Sequence, residues 1–89
     1  MKTNIEEERE KINEIDKNIA KLLDGRLNCV KIISKIKKEN NLPVFQTQRE
    51  KEVIERVKKI SEHPKIIANI FTNIMNESKK LQMNFMVEK

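Results

Sequence analysis

From Ile5 to about Lys38 the chain runs without a proline, and apolar residues recur at Ile5, Ile12, Ile15, Ile19, Leu22, Leu23, Val30 and Ile33. Steps of three, four and seven place these side chains on one face of a long amphipathic α-helix. A helix of about 34 residues is ~50 Å long at a rise of 1.5 Å per residue. A compact chain of 89 residues has a radius of gyration of only ~12 Å and measures roughly 30 Å across. The helix overshoots the body it belongs to. Its spacing therefore predicts a partner over the rest of the stripe, most simply a second copy of the chain.

Continuing the stripe through its gaps reaches Arg9, Arg26 and Lys37. Cations on a core-facing stripe cost free energy unless an anion meets them, so the helix is expected to present them to something negative. Thr3-Asn4-Ile5-Glu6 reads as a capping box at its start. Asn40-Asn41-Leu42-Pro43 ends it, because asparagine tolerates a left-handed cap and Pro43 forces Leu42 extended. Gly25 lies inside the helix at a cost of about 1 kcal/mol relative to alanine. It either admits a close approach beside Arg26 or is simply tolerated.

Thr47-Gln48-Arg49-Glu50 is a second capping-box pattern, opening a helix through about Glu62 whose apolar face runs Val53, Ile54, Val57, Ile60. Glu50 lies almost on that face. Ser61-Glu62-His63-Pro64 breaks the chain, and Pro64 suits the first turn of a third helix. His63 is expected to cap or to face solvent. The third helix carries Ile67, Ile70, Phe71, Ile74, Leu81 and Phe85, and its stripe passes through Ser78 and Gln82, one turn apart on one face. The pattern predicts an all-α, three-helix protomer with one long N-terminal helix, in a single domain over residues 1–89. Polar residues of complementary type interrupt all three stripes, which reads as a polar pocket inside a helical bundle.

Charged residues make up 37% of the chain and aromatics 3%, leaving little material for a large core. The net charge of +5 raises the question of nucleic acid, but the lysines are interleaved with glutamates at helical spacings, as on solvated helix faces. No membrane-length or signal-like apolar run is present, and a cytoplasmic protein is expected. Cys29, the one cysteine, cannot form an intrachain disulfide or a metal site alone and is expected to pack. There is no nucleophile–histidine–carboxylate set, metal-ligand cluster, Gly-rich phosphate loop or paired-carboxylate spacing. Two arginines, a lysine, a serine and a glutamine suit a small dianion. They also suit a reaction that needs only restraint and electrostatic stabilisation.

Arg9-Glu10-Lys11-Ile12, Ile15-Asp16, Leu22-Leu23 with Arg26, Lys37, Pro43-Val44, Arg49-Glu50, and Glu77-Ser78 with Gln82 form an ordered set. Over nearly the whole chain it resembles the all-helical chorismate mutases of the AroQ class. The resemblance implies an intertwined homodimer with two sites, each converting chorismate to prephenate by an intramolecular [3,3] rearrangement without a cofactor or metal. By that likeness Arg26 of one subunit and Arg9 of the other hold the substrate carboxylates, with Ser78 assisting. Lys37 and Gln82 would donate to the ether oxygen whose bond breaks, Glu50 would accept from the ring hydroxyl, and Arg49 would lie beside the site. Gln46 stands where members often carry aspartate, so its backbone contact is expected to survive while its side-chain contribution is open.

Helix geometry allows this division of labour. Arg26 and Lys37, eleven residues apart, point within ~20° of one direction and lie about 16 Å apart along the axis. Arg9 is ~25 Å from Arg26 along the same straight helix, a gap that an antiparallel partner can close. Two other readings stand beside this one. An isochorismate-pyruvate lyase on the same fold uses a similar cation set. A non-enzymatic helical interaction protein would pair the three cations with a partner's carboxylates, but leaves Ser78 and Gln82 without a common explanation.

Overall fold

A computed structural model describes residues 4–87 as three helices, α1 (Asn4–Glu39), α2 (Thr47–Ile60) and α3 (Pro64–Val87), with no strand among the described residues. The fold is all-α, as expected. Thr3, the first member of the N-terminal capping pattern, lies outside the described residues. At the other end of α1, Asn41 adopts φ 55°. The Leu42 amide then donates to the Lys37 carbonyl at 2.8 Å, and that of Asn41 to Lys38 at 3.4 Å. This pairing of two amides with the last carbonyls is a Schellman cap, with asparagine in the left-handed position usually given to glycine.

The second capping box does not form. The N-cap of α2 is Gln46, without a side-chain cap bond, and Thr47 is already helical. The Glu50 amide donates to the Gln46 carbonyl at 3.1 Å, while its carboxylate takes Lys79 of α3 instead of reaching back to the cap. The helix stops at Ile60, two residues short of Glu62, because Ser61 is extended. The Ser61 hydroxyl accepts from the His63 amide at 2.9 Å. The His63 carbonyl in turn accepts from Ile67 at 2.9 Å in the first turn of α3, which Pro64 opens. His63 thus caps through its backbone, and its side chain is exposed.

Helix α3 packs against both others, whereas the backbones of α1 and α2 stay apart among the described residues. The interior is small and unusually polar. Among the described residues, Val30, Val53 and Met75 are its buried apolar members, and they share it with Ser34, Lys37, Ser78 and Gln82. Ser34 is fully buried, its hydroxyl donating to the Val30 carbonyl of its own helix at 2.8 Å. The N-terminal half of α1 extends past this body with Ile5, Ile12, Ile15, Ile19 and Leu22 exposed. Cys29, expected to pack, is exposed as well. A Cβ added at Gly25 would meet nothing within 4 Å among the described residues. No helix among the described residues is long and apolar enough to cross a membrane.

Candidate active site

A cavity of about 350 Å³ opens between the C-terminal half of α1, the entry to α2 and the middle of α3. Every residue singled out from the sequence lines it except Arg9: Arg26, Lys37, Gln46, Arg49, Glu50, Ser78 and Gln82. Val30, Ile33, Val44, Val53 and Met75 supply the apolar wall. Arg9 sits exposed on the extended half of α1, where the straight helix keeps it away from the cavity of its own chain.

Lys37 belongs to the last turn of α1, and burial leaves it 7% exposed. Its ammonium donates to the Gln82 Oε1 at 2.8 Å and to the Val44 carbonyl at 3.1 Å. Desolvation lowers its pKa from the ordinary 10.5. An ammonium has three N–H donors, so one remains after these two bonds. The lysine also sets the orientation of the Gln82 amide: the oxygen is taken, which leaves Nε2 to donate. Lys37 and Gln82 together therefore keep two hydrogen-bond donors, one of them charged, in the cavity wall.

Arg26 donates through Nη1 to the Ser78 hydroxyl at 2.8 Å, and that hydroxyl donates to the Ile74 carbonyl at 2.9 Å. Ser78 is thus anchored to its own helix while it steadies a guanidinium that keeps further donors for a carboxylate. At the rim, Arg49 makes a long 3.9 Å pair with Glu52, both well exposed. Such a pair is worth little and leaves the arginine available.

Two residues escaped the sequence reading. Lys79 lines the cavity and pairs with Glu50 at 2.9 Å. It sits one step off the apolar stripe, and its partner lies on another helix, so spacing within α3 held no signal. Ser34 is the most buried side chain described. Its position three residues before Lys37 and four after Val30 would have placed it on the inner face. The lining holds four cations, Arg26, Lys37, Arg49 and Lys79, to one carboxylate, Glu50. That excess favours a ligand with more than one negative charge.

Fold and cavity together define an all-α domain with a cation-rich cavity lined by ammonium, guanidinium and amide groups. The sequence pattern of the family described as chorismate mutase type II matches residues 8–83, and the chain belongs to that family. All the residues singled out from the sequence, Arg9 included, fall within the match. The chain is 31% identical over 84 residues to the chorismate mutase of Methanocaldococcus jannaschii, covering 90% of this chain and 85% of that protein. It is 38% identical over 85 residues to the bifunctional chorismate mutase/prephenate dehydratase of Buchnera aphidicola subsp. Acyrthosiphon pisum, covering 86% of this chain. A 57-residue match at 35% identity joins it to the bifunctional protein of the same description from Aquifex aeolicus. The chain spans 22% and 16% of the length of these two bifunctional relatives.

Proposed function

We propose that the chain acts as a cytoplasmic homodimer with two equivalent sites, each completed by the partner subunit's Arg9. The activity is that of its family, the isomerisation of chorismate to prephenate. In that reaction one C–O ether bond breaks and one C–C bond forms within a single molecule, and no proton is transferred. Negative charge develops on the ether oxygen as its bond stretches. The observation that carries the mechanism is the Lys37–Gln82 hydrogen bond of 2.8 Å. It pairs a charged and a neutral donor so that both interact most strongly with the transition state.

Arg26, steadied by Ser78, takes one substrate carboxylate, and the partner's Arg9 takes the other. Holding both selects the folded conformer in which the reacting carbons meet. Glu50 accepts from the ring hydroxyl, Arg49 adds positive potential at the rim, and Gln46 contributes through its backbone. The family match over residues 8–83 supports reading the chain as one such domain.

The surface of the protomer supports the dimer. It exposes 7513 Å², whereas a folded monomer of its mass exposes about 5,500 Å². An excess of roughly 2,000 Å² on each protomer is of the size that obligate dimers bury. Purified protein incubated separately with chorismate and with isochorismate, with products identified by mass and chromatography, tests the assignment. Prephenate from chorismate is the expected result. Pyruvate release from isochorismate without prephenate formation from chorismate would overturn it.

A further inference from the structure

Glu50 is the one carboxylate in a cavity it shares with Arg26, Lys37 and Arg49. A carboxylate left to swing there would pair with a cation and neutralise charge that a dianionic substrate needs. We propose that Lys79 is a positioning residue that holds Glu50 in place to accept the substrate's ring hydroxyl and keeps it off the substrate-binding cations. This rests on the hydroxyl-accepting role given to Glu50 above.

The geometry is that of a strut. Lys79 meets Glu50 Oε1 at 2.9 Å with the two side chains 24% and 31% exposed. That contact leaves Oε2 to accept a further hydrogen bond. Pairs such as Lys11–Glu8 and Lys80–Glu77 join neighbours three apart on one exposed helix surface. Lys79–Glu50 instead ties the middle of α3 to the first turn of α2. The ammonium also lies over the Phe45 ring, whose centroid is 5.5 Å away. A partly exposed ion pair adds little to stability, so its placement in the cavity wall is better explained by what it orients. The neighbouring residues on α3 follow the same plan. Ser78 steadies Arg26 of α1, Lys79 steadies Glu50 of α2, and Gln82 meets Lys37 of α1.

The test is a double-mutant cycle on the full chain, combining Lys79→Met with Glu50→Gln, plus Lys79→Arg as the charge-preserving control. Steady-state kinetics with chorismate are read beside the ¹³C relaxation of the Glu50 side chain in the free protein. Lys79→Met should lower kcat/KM about tenfold, the scale of one charge-assisted hydrogen bond. Lys79→Arg should recover most of that loss. Adding Lys79→Met to Glu50→Gln should cost no more than about twofold further, since the lysine acts through the carboxylate. Glu50 should become more mobile in Lys79→Met. Losses that multiply in the double variant, or a Glu50 side chain equally ordered without Lys79, would overturn the proposal. If Glu50→Gln left kcat/KM unchanged while Lys79→Met loosened Glu50, the hydroxyl contact would be the part that failed. The proposal would then fall with it, although the strut itself remained.

Discussion

Lys37 is charged and almost wholly buried, and both facts bear on how the enzyme responds to pH. Desolvation lowers its pKa from 10.5, so the alkaline decline of kcat/KM, which reports the free enzyme, should set in below that value. A bound dianion favours the ammonium, so the corresponding decline of kcat should lie at higher pH. Coincident limbs in the two profiles would contradict this assignment. The same shift acts on stability. The unfolded chain keeps its lysine proton up to 10.5, whereas the folded one releases it earlier. The unfavourable term from burying the charge is therefore present below the folded pKa and is relieved between that pKa and 10.5. Denaturation midpoints of wild type relative to Lys37→Met should accordingly move in favour of wild type across that window. Gln82 gives a complementary test. Its oxygen already accepts from Lys37, and its amide nitrogen can only donate. Gln82→Glu can donate only when protonated, so activity should rise as pH falls and be nearly lost at neutral pH. A flat pH–rate profile in the folded variant would refute the donor role.

Helix α1 is two elements in one: a C-terminal half that carries Arg26, Ser34 and Lys37 toward the interior, and an N-terminal half that no described residue covers. Gly25 stands where the halves meet. It is one residue from Arg26, hence about 100° around the helix from the stripe, and an added Cβ there meets nothing within 4 Å. Gly25→Ala should therefore stabilise by about 1 kcal/mol, a rise in Tm of roughly 4–8 °C for a domain of this size. A lower Tm would mean that a partner backbone comes close at this point. Periodicity and punctuation made the three helices legible, with Asn41 and Pro64 marking ends that the structure keeps. They also pointed to Arg26 and Lys37, which line the cavity, though not to Arg9, which is exposed, because a charge on an apolar stripe is visible in one dimension. The start of α2 at Thr47 was legible but its capping was not, since Glu50 could cap locally or pair across to Lys79, and the tertiary contact prevailed. Lys79 itself was invisible for the same reason: its partner lies 29 positions away on another helix. Cys29 was misplaced because a pattern tells which residues could be covered, not which neighbour is there to cover them.

At the scale of the molecule, the chain is far more extended than its length requires. It extends 59 Å with a radius of gyration of 16.7 Å, against ~12 Å for a compact chain of this length. A buried apolar set of Val30, Val53 and Met75 is too small to sustain such a shape alone, so folding should be coupled to association and the Tm should rise with protein concentration. The shared site can be tested by mixing inactive chains. Arg9 lies ~25 Å along α1 from Arg26 and is absent from the cavity that holds Arg26 and Lys37. Arg9→Ala and Lys37→Ala should each be nearly inactive as homodimers, because every site lacks one cation. If the two variants are unfolded together and refolded at equal concentration, about half the dimers are mixed. One site of a mixed dimer then draws Arg9 from one chain and Lys37 from the other and is intact, while its second site lacks both. Activity should return to roughly a quarter of wild type, half of the dimers times half of their sites. Were both cations supplied by one chain, every site in every dimer would still miss one, and mixing would restore nothing. Failure to recover activity, with mixed dimers confirmed by mass, would exclude the cross-subunit arginine.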